Sequence, residues 1–227
     1  MSQYIYALLA EPPRGDAGTG LTAEPLRFVP IGGVLAAVGD MAAPPDVNPA
    51  TLRAHDAVVR RLAAEVDAIL PVRFGTLLEG DRALADAIGE RAPRLREALA
   101  LVAGREQMTL RVFGEPAPAA DIDAEPAPAE LGPGTRYLEA RRRQTRRDAD
   151  VPELAPLRPL LAPLVRAEQA QRHEVPPLLA SVYHLIDRGG AAAYLDAVAA
   201  GAPALAPTRA SATGPWPPYA FAPETLG

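Results

Sequence analysis

Apolar positions along this chain recur with two different periods, and each change of period marks an element. Leu52, His55, Val59, Leu62, Val66 and Ile69 recur at steps of three and four, which places them on one stripe of an amphipathic helix. Asn48 is its expected N-cap, and Pro49 sits at the first helical position, where a missing amide hydrogen costs nothing. Asp56–Arg60 and Arg61–Glu65 are four apart and suit ion pairs on the other faces. Pro71 is expected to end this helix by driving Leu70 out of the α region, and 72–78 then reads as a short strand.

The flanking segments follow the same logic. Residues 4–9 (Tyr4-Ile5-Tyr6-Ala7-Leu8-Leu9) are apolar on both faces and read as a central strand. Residues 26–31 and 34–38 read as two strands about a Gly32-Gly33 turn. Leu84, Ile88, Leu95, Leu99 and Val102 predict helix after Asp81, its expected cap, with Gly89 and Pro93 kinking it or dividing it in two. Gly104 is a suitable stop. Met108, Leu110 and Val112 then alternate with Thr109, Arg111 and Phe113, as expected of a closing strand with one buried face. Gly75 reads as a point of close backbone approach, not as part of a phosphate loop.

These elements predict an α+β protein of two domains. Residues 1–113 form an N-terminal domain, a ferredoxin-like variant with an extra early hairpin. Residues 114–134 are a Pro/Ala-rich linker in which Glu-Pro-Ala-Pro-Ala occurs twice. Residues 135–227 form a C-terminal domain, a helical segment plus a small α/β unit. Pro152, Pro156, Pro159 and Pro163 fall on one helical face and should fragment a helix there. Strand 181–186, helix 190–200 and strand 209–213 complete the unit, capped by Gly-Pro-Trp-Pro-Pro-Tyr.

Composition narrows the chemistry. The 227 residues, 48% of them hydrophobic, suffice for a real core. The absence of cysteine removes disulfides, thiolate catalysis and thiolate metal sites. A net charge of −5 disfavours general nucleic-acid binding. No basic signal-peptide start and no apolar run of spanning length is present, so a soluble, cytoplasmic protein is expected. Every basic residue is arginine, which together with 26 prolines reads as GC-rich coding and not as function.

No catalytic set stands out. His55 has no Gly-x-Ser-x-Gly serine or metal-spaced histidine to work with, so it reads as a hydrogen-bonded structural histidine. Arg73, beside Phe74, offers a bidentate fork to a carboxylate, or alternatively pairs with an acid at the core edge. The arginines at 136 and 141–147 read as a solvated helical face against the acidic linker, with docking of an acidic partner as the sharper alternative. Trp216, with Tyr219 and Phe221 nearby, reads as an interaction patch or as a tail folded back onto a domain, and both hold if the tail lies across a domain interface.

Four segments together carry a resemblance: Tyr4-Ile5-Tyr6, the run from His55 to Leu78 with its Leu-Pro-Val-Arg-Phe-Gly-Thr core, Glu106 to Val112, and Thr213 to Tyr219. In this order they resemble the gas-vesicle accessory family GvpF/GvpL. The resemblance implies a non-enzymatic role without cofactor or metal: binding the hydrophobic major shell subunit as the shell is nucleated or grown, with other accessory gas vesicle proteins as further partners. Arg73, Phe74, Trp216 and Tyr219, on an inter-domain surface, are the expected contact. A small-molecule-sensing module and an enzyme using His55 and Arg73 in an inter-domain cleft are the alternatives from other classes.

Overall fold

A computed structural model describes residues 2–115 and 151–223. Most of the expected linker and the arginine cluster at 136–147 lie outside the described residues. The chain divides into two compact units, Met1–Gln107 with Pro215–Gly227, and Met108–Gly214. Both combine helices with a sheet, as α+β composition requires.

The first unit is built on β1 (Ser2–Leu9), buried at every position from Gln3 onward. β2 (Arg27–Ile31) and β3 (Val34–Asp40) form the expected hairpin. Its turn needs positive φ at both Gly32 (58°) and Gly33 (83°), the geometry whose twist matches paired strands. β3 pairs with one edge of β1, while β4 (Ile69–Pro71) and β5 (Leu77–Glu79) share the other, all antiparallel. The sheet order is β2-β3-β1-β4, with β5 also on β1. β3 and β4 therefore run parallel on either side of β1 and are joined by α1 (Pro49–Glu65), a split β-α-β unit of the ferredoxin-like kind.

That likeness stops at the fifth expected strand. β6 (Arg105–Phe113) does not close this sheet but lies between strands of the second one. Its alternation fixed a buried face; it could not say which sheet the face belongs to.

Helix α1 starts as its sequence dictates. The Asn48 carboxamide accepts from the amides of Ala50 (2.9 Å) and Thr51 (3.0 Å), and Thr51 Oγ1 accepts from the Asn48 amide (3.3 Å). His55, Val58, Val59 and Leu62 are buried against Tyr4, Tyr6 and Leu9, whereas Leu52 is 42% exposed and off the stripe. The helix ends at Glu65, not at Leu70. Pro71 does keep Leu70 out of the α region, but pairing of Ile69, Leu70 and Pro71 with β1 turns that restriction into a strand. The expected strand at 72–78 accordingly becomes a turn that follows β4 and then β5. Arg60 pairs with Asp56 (2.6 Å) as expected; Arg61 does not reach Glu65 but donates to the carbonyls of Ala17 (2.7 Å) and Thr19.

The next two helices, α2 (Gly80–Gly89) and α3 (Ala92–Val102), are the expected pair divided near Gly89 and Pro93. Asp81 lies in the first turn of α2 without capping it, and accepts instead from the Gln3 carboxamide. α2 and α3 contact β1 to β5, covering β1 on the face that α1 leaves.

The second unit has its own core of Met108, Leu110, Val112, Leu157, Val182 and Tyr194 among others. The proline-spaced region is fragmented as expected, into a 3-10 turn (Pro152–Leu154) and α4 (Arg158–Leu161). Val151, Leu154, Leu157 and Leu161 keep a buried stripe all the same. β8 (Leu178–Asp187), α5 (Ala191–Gly201) and β9 (Arg209–Trp216) match the expected elements. β7 (Val165–Arg172) is an addition that its polar sequence did not predict. As an edge strand it needs few apolar side chains: its antiparallel ladder with β8 holds it, and bidentate pairs flank it, Arg172 to Glu153 (2.9 and 3.0 Å) and Arg166 to Asp187. The order β7-β8-β6-β9 repeats that of the first unit: a central strand, a hairpin beside it, a helix, then the opposite flanking strand.

Candidate partner-binding groove

β1 pairs with β3 through a bulge at Tyr6, where two steps on β1 oppose one on β3. The bulge sets Tyr4 and Tyr6 side by side under α1, ring centroids 4.9 Å apart. Tyr6 donates to Glu24 and accepts from the Leu21 amide (2.7 Å), pinning the 20–24 loop. Glu24 is lowered from its ordinary pKa: burial opposes ionisation, but the bonds from Tyr6 and the Thr22 amide and hydroxyl outweigh it.

Tyr4 works in the other direction. Its hydroxyl meets His55 Nδ1 at 3.0 Å and accepts from the Gly75 amide at 3.1 Å. Burial lowers the His55 pKa, partly offset by the Val72 backbone, and pushes Tyr4 up to about 12. His55 is 4% exposed and packs among the rings of Tyr4, Tyr6 and Phe74.

This pair anchors a tight turn. Thr76 donates to the Arg73 carbonyl through its amide (3.2 Å) and its hydroxyl (2.8 Å). Gly75 takes φ +88°, as the third residue of a type II turn requires. A Cβ there would meet nothing within 4 Å, so the glycine serves backbone conformation and not the expected close approach. Phe74 packs inward, edge-on to His55 (5.6 Å) and Tyr4 (6.3 Å). Arg73 points out of the turn, exposed, and no carboxylate among the described residues pairs with it.

Residues 215–223 return to the first unit. Arg60 lies 4.4 Å over the Trp216 ring, Tyr219 donates to Asp56 Oδ1 at 2.9 Å, and the Ala220 amide donates to Gln107 Oε1 at 2.8 Å. Burial, then the Asp56 charge, raises the Tyr219 pKa. The tail is therefore folded back, the second of the two readings of this segment.

Between this tail, β4 and α3 lies a groove of about 800 Å³. Leu8, Leu70, Pro71, Val72 and Leu95 form its apolar lining with Tyr219, and Arg73, Arg91 and Arg94 are its only charged lining residues. Arg94 is exposed and, like Arg73, has no acidic partner among the described residues. Arg91 bonds the Ala87 carbonyl. Of the four expected contact residues, Arg73 and Tyr219 line the groove; Phe74 and Trp216 do not, each being packed beside it. Arg91 and Arg94 were missed by sequence reasoning. Their signal is that α3 opens with cations and no acid in its first turn, against the helix dipole.

Among the described residues no cluster of His, Asp or Glu suits a metal ion, and no helix is long and apolar enough to cross a membrane. His184, the other fully buried histidine, is satisfied at both nitrogens by Tyr194 (2.6 Å) and Glu168 (2.8 Å).

Comparison with known proteins fixes the kinship. Gas vesicle protein L2 of Halobacterium salinarum is 29% identical, covering 98% of this chain and 91% of that protein. Gas vesicle protein L of a Streptomyces species is 30% identical over 97% of this chain and 92% of its own length. The crystal structures of gas vesicle protein GvpF from Anabaena sp. and Microcystis aeruginosa share the fold, at TM-scores of 0.72 and 0.71 and identities of 16% and 18%. They cover 99% and 98% of this chain, and the match takes in 97% and 99% of theirs. The family model described as gas vesicle synthesis protein GvpL/GvpF matches residues 2–223, so the chain belongs to the GvpL/GvpF family of gas vesicle proteins.

Proposed function

We propose that this protein is an accessory factor of gas vesicle assembly that binds the hydrophobic major shell subunit and assists nucleation or growth of the shell. The observation that carries the reading is family membership over residues 2–223. The groove supports it, because its rim of Tyr219, Ala222 and Pro223 leaves apolar surface accessible beside the arginines, as a carrier of a hydrophobic subunit needs. A subunit with a large apolar face must be shielded until it joins the growing wall, which is work done by binding and not by turnover. In this reading Arg73 and Tyr219 touch the partner, while Phe74 and Trp216 hold the turn and the tail that carry them. Other accessory gas vesicle proteins are further partners, and the protein acts in the cytoplasm at the vesicle.

The test is co-expression of this protein with the shell subunit in one cell, followed by co-purification. The expected result is soluble shell subunit retained on the wild-type protein. A well-folded protein that retains none would overturn the reading.

A further inference from the structure

The chain as a whole carries a net charge of −5, yet three arginines and no acid line the one groove described in the first unit. Two of them, Arg73 and Arg94, are exposed without an acidic partner among the described residues. They are brought together from separate elements: Arg73 from the turn after β4, Arg91 and Arg94 from the start of α3. We propose that this groove binds an extended acidic segment of a partner protein, one in which carboxylates alternate with aliphatic side chains.

Each half of that ligand answers a feature of the groove. Exposed, planar guanidinium forks favour carboxylates, which they can engage through two parallel bonds. The accessible part of the apolar lining, Tyr219, Ala222 and Pro223, favours aliphatic groups between those carboxylates. A simple inorganic anion would leave that surface wet, and a nucleic acid would present phosphates with nothing aliphatic to cover it. Recognition would proceed through side chains and not by strand addition. Pro71 and Pro223 have no amide hydrogen, and the Val72 amide is spent on the Tyr6 carbonyl at 3.0 Å. The inference rests on the proposed function for which protein supplies the segment, and on the groove alone for its chemistry.

The probe is a blocked hexapeptide alternating leucine and glutamate, titrated into the full-length protein beside its glutamine counterpart. The glutamate peptide should bind, weaken as salt is raised, and exceed the glutamine peptide by about tenfold or more. Arg73→Gln and Arg94→Gln should each cost about tenfold, since a charge-assisted pairing is lost. Arg53→Gln, at an exposed site on α1 away from the groove, should leave binding unchanged. Unchanged thermal melts will show that the variants fold, which their exposure favours.

Equal binding of the two peptides, or full binding by both groove variants, overturns the proposal. So does stronger binding of polyphosphate than of the glutamate peptide. Co-purification of the shell subunit separates this result from the function. If the double variant retains the subunit as well as wild type, the groove is not the docking site and the function stands. If wild type retains no subunit but still binds the glutamate peptide, the function falls and the groove chemistry stands.

Discussion

The Tyr219 hydroxyl donates a 2.9 Å hydrogen bond to Asp56, joining positions 163 residues apart in the chain. Asp56 also holds Arg60 at 2.6 Å, and Arg60 in turn lies over Trp216, so one turn of α1 fastens two of the three aromatic residues of the tail. Removing the hydroxyl with Tyr219→Phe should cost about 1 kcal/mol, the net worth of an ordinary hydrogen bond. Asp56 keeps Arg60 and some solvent, so the loss stays near that figure. Urea unfolding measures it, and a loss above about 3 kcal/mol would mean the tail is held in some other way.

The Arg60–Trp216 contact should show a coupling of about 0.5–1 kcal/mol in a double-mutant cycle with Arg60→Ala and Trp216→Ala, as expected for a partly exposed cation–π pair. Strict additivity would mean that the ring packs without sensing the cation.

Tyr4→Phe should be more harmful than Tyr219→Phe. It strips His55 Nδ1 of its hydrogen-bond partner and the Gly75 amide of its acceptor in a buried site, which costs about 1–3 kcal/mol. Because the same hydroxyl anchors the turn carrying Arg73, peptide binding in the groove should weaken as well. Stability loss with groove affinity unchanged would separate the core network from the site.

Gly75→Ala places a methyl group in open space but at φ +88°. Steric freedom does not rescue it, since the left-handed conformation costs an L-residue about 1–2 kcal/mol. A thermal melt that matches wild type would show that the turn can switch to another geometry.

Stability should fall at both ends of the pH scale for different reasons. His55 has a folded pKa below the ordinary 6.5, so the unfolded chain binds a proton more readily. Its contribution is intact above about pH 6.5 and is lost as the pH drops toward the folded value. Tyr4, pushed up to about 12, and the raised Tyr219 act in the opposite sense. Their contribution is intact below the ordinary phenol value of 10.0 and is lost as the pH rises through the folded values. Urea midpoints across pH 5–11 check this, and His55→Gln should flatten the acid limb only.

Local rules were legible wherever the deciding partner is near in sequence. Asn48 and Pro49 start α1, Gly32 and Gly33 turn the hairpin, and Gly89 with Pro93 divide α2 from α3. Rules decided by distant partners were not. Residues 69–71 carry a helical period and become a strand because β1 is there to pair with them. β6 shows its buried face but not its sheet, and β7 is held by its ladder with β8, a partner that its polar sequence does not announce. The groove is of this second kind. Arg91 and Arg94 read locally as a solvated helix start, and only the packing of α3 beside β4 makes them neighbours of Arg73.

The return of residues 215–223 to the first unit has a practical outcome for mapping experiments. In connectivity the second unit is an insertion: the chain leaves the first body after Gln107 and re-enters it at Pro215, with Gln107 and Ala220 hydrogen-bonded at 2.8 Å. A truncation that discards everything beyond residue 134 would also remove Tyr219 and one wall of the groove, and so could not assign a lost activity to either body. Excising 108–214 and bridging the two exits with a short flexible linker is the cut that respects the fold.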